Sequence, residues 1–554
     1  MLSVDGAEEK SMTSPAREKR DKQASDTDLF PENRLTEKTG SMKRIRDTRT
    51  SELVIALCGP IGSPMVEVAD VIEKVLKGDF NYEICEKIRL SDFISQYAEK
   101  VGMSIKPEPG FDRINNQIDA GNKLRDKYGS SVLAELAVVK IRIDREKDKE
   151  HGGDKRHKPR RICHIINSIK NQEELDLLRS VYRDMLYVFG VFSPLEKRRA
   201  NLKQKELKDI HIYELIDRDS GEELKNGQTV SDTFPKSDFF LRVDSGTNTE
   251  DEVKRFLNLI FGTKVITPTL EESAMYMAAS AAASSACLSR QVGAAVTTAK
   301  GEILATGWND VPQFGGGLYV HGPKVTDERC WNHSSGAKCF NQEKKISFAE
   351  DLLKVLKEFI PAKKHNDAKN AILSSSKLKG LIEFSRSIHA EMHAILNAGK
   401  LSGDKMIGGK LFVTTYPCHS CARHIVAAGI KAVYFIEPYR KSLATELHSD
   451  AITESETDHG KVRLLPFSGV APSRYLDLFR VPSNSRKNED GLVVSVEPKD
   501  ACPRLGKSME AFHTLEGMVV DSLAERSVIP PRVEQKLRDA EGGEDGKGKI
   551  PPTA

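Results

Sequence analysis

Little in the sequence would carry the chain into a membrane or a secretory route. No uninterrupted apolar stretch approaches the ~20 residues that cross a bilayer. The opening MLSVDGAEEKSMTSPAREKRDKQ lacks the apolar core of a secretory signal, and its early acidic residues are foreign to an organelle transit peptide. Nine cysteines lie scattered along 554 residues, an odd set unlike a disulfide framework, so a reducing cytosol is expected. An excess of one charge is missing too: 84 Lys and Arg against 81 Asp and Glu leave +3, too weak a field to attract nucleic acid or a membrane surface. Hydrophobic residues, at 39%, fall below the ~45 to 50% of globular chains, while charged residues reach 30%, so packed blocks alternate with solvated segments.

What is present divides into blocks. Residues 1–50 show no sustained apolar periodicity and read as a disordered leader. A first folded block, 51–263, opens on the apolar run LVIALCG, a glycine loop and a helical pattern. ICHIINSI and MLYVFGVF supply further strands around a helix at Gln172–Arg183, which implies a parallel α/β sheet. The basic run between Asp148 and Arg161 reads as a surface loop, or as a phosphate or RNA contact. A second block, 264–480, holds an alanine-rich helix, two strands, an insertion at 314–379 around one amphipathic helix, a helix from Leu381 to Ala398, and the strands KLFVTTY and AVYFIEP flanking a helix from Cys421. Residues 481–554 read as mostly disordered.

The chemistry concentrates in His389-Ala390-Glu391 and Pro417-Cys418-His419-Ser420-Cys421. Two thiolates two residues apart on a turn entering a helix, joined by an imidazole from another helix, give three ligands for tetrahedral Zn²⁺ and leave the fourth position for water. Glu391 lies two residues beyond the histidine, placed to move a proton from that water to a ring nitrogen and a leaving ammonia. His393, one turn after His389, is expected to pack or hydrogen-bond.

These residues resemble the H-x-E and P-C-x-x-C signature of zinc-dependent nucleobase and nucleotide deaminases. Arg290–Ala294 and Gly307-Trp308-Asn309-Asp310-Val311-Pro312 resemble the V-G-A strand and G-Y-N-G-x-P turn of deoxycytidylate deaminases, with Asp310 in place of the family glycine. The resemblance implies a three-layer α/β/α deaminase fold, a deoxycytidine nucleotide substrate and a homo-oligomer. It also implies that Asn309 holds the sugar hydroxyl, with Ala390 and Tyr416 beside the ring. Lys441, after the last strand, is a candidate phosphate grip or a solvated loop residue. Some deoxycytidylate deaminases carry an extra structural zinc, for which Cys330, His333 and Cys339 are candidates without an obvious fourth ligand.

In the first block Gly59, Gly62 and Ser63 stand where a phosphate loop belongs, but Met65 replaces its lysine and Val66 its hydroxyl residue. The block resembles the nucleotide-kinase branch of P-loop proteins, and its fusion to a deaminase resembles the two-domain bacterial antiphage deoxycytidine nucleotide deaminases. That resemblance implies a regulatory N-terminal half binding a nucleotide or an inhibitory RNA, and depletion of deoxycytidine nucleotides in antiviral defence. The alternatives are a housekeeping dCMP deaminase and an RNA or single-stranded DNA deaminase. The polynucleotide enzyme needs an aromatic, basic channel, and aromatic residues are only 6% here.

Overall fold

The computed structural model describes residues 41, 45 and 48–506, apart from 153–160, 206, 222–229, 245, 247, 323–326, 376–377, 379, 438–441 and 482–485. The expected leader therefore lies almost entirely outside the described residues, as do Lys441 and the tail beyond 506.

The first block is a sheet of β1 (Leu53–Cys58), β2 (Ile84–Arg89), β3 (Ile162–Ile169), β4 (Leu186–Phe192) and β5 (Phe239–Arg242), all parallel, in spatial order β5-β4-β1-β3-β2. β1 is apolar throughout because both faces are covered. Leu53, Ile55 and Leu57 meet α1 (Met65–Asp79), while Val54, Ala56 and Cys58 face the opposite layer, the alternation that a pleated strand imposes. That layer includes α2 (Leu90–Tyr97), α3 (Phe111–Tyr128), α4 (Val132–Gly152) and α5 (Gln172–Tyr182). α5 starts at a capping box, Asn171 with Glu174, and ends at Tyr182, one residue short of the expected span. α6 (Leu195–Lys203) and α7 (Asp209–Gly221) follow β4, and α8 (Thr249–Phe261) packs beside α1.

The second block is a mixed sheet of β6 (Gly293–Thr297), β7 (Ile303–Trp308), β8 (Lys410–Thr415), β9 (Ala432–Glu437), β10 (Ile452–Thr453) and β11 (Val462–Pro466). Its order is β10-β11-β9-β8-β6-β7, antiparallel around β6 and parallel from β8 onward. α9 (Leu270–Ala282) covers one face. α12 (Ala390–Met406) and α13 (His419–Ala427) cover the other, giving the expected three layers.

Three details depart from the sequence reading. Among its described residues the insertion holds α10 (Phe340–Val355) and α11 (His365–Ser374); the second buries none of its residues and so has no apolar stripe to read. α12 begins at Ala390 and not Leu381, because Ile388 is drawn into an isolated bridge with Asp310. Described residues of the tail pack on the first block: Ala501 is buried, and Arg504 donates to the carbonyls of Leu478 (2.7 Å) and Arg480 (3.0 Å) at a helix end.

The two blocks share one core. β12 (Gly469–Val470), three residues past β11, joins the first sheet antiparallel to β5. Phe467 packs edge-on against Phe240, and Arg474 pairs with the buried Asp238 at 2.9 Å. Glu272 of α9 accepts from Arg255 of α8 (2.8 Å) and from Val470 N (2.9 Å). Among the described residues no helix is long and apolar enough to cross a membrane.

Candidate active site

Each ligand of the expected metal trio sits at a helix start. His389 is the N-cap of α12 and Cys418 the N-cap of α13, with Cys421 inside the first turn of α13. The positive end of α13 thus lies at Cys418 and favours its thiolate form. His389 Nδ1 lies 3.4 Å from Cys418 Sγ and 3.2 Å from Cys421 Sγ. Tetrahedral Zn²⁺, with bonds of about 2.3 Å to sulfur and about 2.0 Å to nitrogen, would set S···N at roughly 3.5 Å, so the donor set fits with a shift of a few tenths of an ångström. Among the described residues this is the one group of three such donors that meets within 4.8 Å.

The trio's electrostatics suit a cation. The hydrogen bond from Cys421, then His389, holds the Cys418 thiol down at about 4. The bond to Cys418 raises His389 to about 9, and the same sulfur pairing together with burial pushes Cys421 up. The three groups share protons that a metal would displace. Glu391, 3% exposed, stands in the first turn of α12, its carboxyl raised to about 6 chiefly by burial, against the opposing pull of His389. A carboxylate poised near neutrality can both accept and return a proton.

α12 is locked onto β7. Trp308 N–H donates to His393 Nδ1 at 3.2 Å and its ring meets His393 edge-on, so His393 takes the packing role. At Gly307 an added Cβ would come 2.3 Å from Ala394 N and 2.7 Å from Ala390 O. Gly307→Ala is therefore expected to push α12 outward and cost about 1–3 kcal/mol in a denaturant melt.

The remaining site candidates fare differently. Ala390 is fully buried beneath the trio. Tyr416 turns into the core: its hydroxyl donates to Glu454 at 2.8 Å, its ring abuts Phe435, and its amide donates to Glu437 O. Asn309 is engaged at both ends, donating to Arg290 O (2.8 Å) and accepting from Val292 N (2.7 Å). Its carboxamide keeps one further hydrogen and one further lone pair. Cys330, His333 and Cys339 do not converge as a three-donor group; His333 Nδ1 instead lies 2.8 Å from the Ser335 hydroxyl and its ring packs on Phe340. Lys441 lies outside the described residues. Three nearby contacts are not readable from the sequence: Arg290 reaches Thr415 (3.2 Å) and Glu437 (2.9 Å), and Ser442 donates to Pro417 O at 2.7 Å.

The glycine loop of the first block is filled from within. The buried Asp219 of α7 accepts from Ile61 N at 2.6 Å, and Lys170 donates to both Asp219 and Gly59 O at 2.8 Å. Gly59 cannot bear a side chain, since a Cβ would lie 2.1 Å from Val191 O, and Gly62 adopts φ +83°. Ser63 N closes the turn on Pro60 O. Of the basic run before β3, residues 155–160 lie outside the described residues. Arg161 is bound to the carbonyls of Phe80 (2.7 Å) and Ala501 (2.8 Å).

Residues 268–437 match the family described as the cytidine and deoxycytidylate deaminase zinc-binding region. Deoxycytidylate deaminase of Enterobacteria phage T4 is 30% identical over 161 residues, covering 28% of this chain and 72% of the phage protein. ComE operon protein 2 of Bacillus subtilis is 49% identical over 55 residues, 10% of this chain and 29% of that protein, so the chain spans under a third of this relative. The solved dCMP deaminase of cyanophage S-TIM5 with dCMP and dUMP covers 36% of this chain and 99% of its own at 22% identity, with a TM-score of 0.22. The site defines a deaminase of the hydrolase type with zinc as its cofactor. The chain belongs to the cytidine and deoxycytidylate deaminase family.

Proposed function

We propose that the protein hydrolyses the 4-amino group of deoxycytidine nucleotides, dCMP or dCTP, to the uracil nucleotide and ammonia. The observation that carries this is the buried Glu391 carboxyl beside the converged His389, Cys418 and Cys421. Zinc bound there would supply Lewis acidity toward water. Glu391 then takes the water proton, passes it to N3 of the ring, and helps deliver the second proton to the departing amine. Burial around Ala390 and Tyr416 excludes competing water, and the spare hydrogen and lone pair of Asn309 suit a sugar hydroxyl.

The first block, in this reading, regulates the second. Its loop lacks the phosphate-binding lysine, its main anion position is filled by Asp219, and its core runs continuously into α9 beneath the deaminase sheet. The two-domain arrangement supports a role in antiviral nucleotide depletion, with a nucleotide or RNA as the controlling ligand. Housekeeping dCMP deamination and polynucleotide deamination are the competing readings. The test offers zinc-loaded protein dCMP, dCTP, CTP, cytidine and a cytosine-containing oligonucleotide and follows ammonia. Release from the deoxynucleotides is expected; release from the oligonucleotide alone would replace this reading with polynucleotide deamination.

A further inference from the structure

The turn after β7 carries a carboxylate, Asp310, and the insertion opens only a few residues later. The structure joins the two. Asp310 is 1% exposed, where an unneutralised carboxylate is costly. Its Oδ1 accepts from its neighbour Val311 N and its Oδ2 from Ala286 N in the loop after α9, each at 2.9 Å. The cation comes from the insertion: Arg329, 5% exposed, donates to Asp310 Oδ2 at 3.3 Å. Asp327 holds that guanidinium from the other side, accepting from Nε (2.9 Å) and Nη2 (2.7 Å), so its direction is fixed before it meets Asp310.

The main chain of Asp310 continues the path. Its carbonyl accepts from Ile388 N at 2.9 Å, and Ile388 directly precedes His389. His389 needs extended backbone (φ −78°, ψ 154°) to aim its imidazole back at Cys418 and Cys421 before α12 begins. The bridge to Asp310 supplies a fixed neighbour for that segment, and Arg386 Nη1, donating to Glu328 O at 3.1 Å, ties the same approach strand to the insertion a second time.

We propose that Arg329 is a positioning residue for the metal site: by neutralising Asp310 it holds the 309–311 turn, and through the Asp310–Ile388 bridge it sets the placement of His389. The insertion is thus a strut of the active site. This rests on the deaminase reading above and adds to it a residue outside the family signature.

The test uses the full-length protein and reads metal binding as well as turnover. Arg329→Met removes the charge and keeps the bulk. Zinc affinity, by competition with a chelator, is expected to fall roughly 10- to 100-fold, the usual effect of losing an outer partner of a ligand. The cobalt-substituted spectrum should shift, and kcat should fall with KM little changed. Arg329→Lys should recover part of the loss. The double variant Arg329→Met with Asp310→Gly should recover more, because it removes the stranded carboxylate; should Arg329→Met fail to fold, the double variant carries the test. Wild-type zinc affinity and an unchanged cobalt spectrum in Arg329→Met would overturn the proposal, as would a double variant with zinc affinity below that of Arg329→Lys. Failure of the deaminase reading is separate: it would appear as wild-type protein that releases no ammonia.

Discussion

Replacing Glu391 with glutamine is expected to slow deamination by roughly 10²- to 10⁴-fold, the range over which a positioned proton carrier contributes. The amide fills the same buried volume, so the fold should survive. The three metal donors are untouched, so zinc content should remain that of the parent. Glu391 lies in the first turn of α12, and its carboxyl is raised to about 6 mainly by its burial. Steady-state rates with zinc measured on the same samples separate the outcomes: a slow, fully metallated variant supports the proton-carrier role, and a fast one contradicts it.

Glu174→Ala is expected to have the largest effect on stability. Glu174 is fully buried beside Arg125, which is 2% exposed, and Oε1 accepts from Nε (2.9 Å) and Nη2 (2.8 Å). Its other oxygen accepts from Asn171 N at 3.2 Å in the capping box of α5. Removing it strands a guanidinium in the core and takes away the reciprocal half of the capping box, at about 3–5 kcal/mol for a broken buried pair. Domain stabilities are commonly about 5–15 kcal/mol, so this is a large share of the total. Because α9, Phe412 and Phe467 belong to the same core cluster as Leu175 and Leu178, deaminase activity should be lost in the same shifted denaturant transition as the first block's structure. Two well-separated transitions would contradict the shared core.

The chemistry was legible in the sequence where it demands residue types at fixed spacing. His389, Cys418 and Cys421 are such a case, brought together at the starts of two helices. The long strands β1, β3 and β4 were legible because burial on both faces keeps them mainly apolar, with His164, Asn167 and Ser168 of β3 as the polar exceptions. β2 was not: as an edge strand its sequence ICEKIR keeps Ile84 exposed and Lys87 ion-paired with Asp70 and Glu73, which erases the apolar signal. α4 was hidden in the same way, its few deeply buried residues Leu133, Ala134, Ala137 and Ile141 diluted by a charged C-terminal half that reads as loop.

Contacts made by backbone or across an insertion were beyond pattern reading. Nothing in Asn309 itself announces that its carboxamide closes on Arg290 and Val292, which leaves less of it for a sugar than the family turn suggests. Asp310 is different, since a buried carboxylate calls for a cation. Only the fold identifies that cation as Arg329, nineteen residues on. Asp219 lies 158 residues from Ile61, so the occupied glycine loop could be found only once α7 was placed against it.

The most direct measurement is mass spectrometry of the product formed when the zinc-loaded wild-type protein is given dCMP or dCTP in ¹⁸O-water. Hydrolytic deamination predicts a uracil nucleotide carrying a single solvent oxygen at C4, released with an equivalent of ammonia and absent when Glu391→Gln replaces the parent. An unlabelled uracil product, or no conversion of either nucleotide by the metallated protein, would contradict the account.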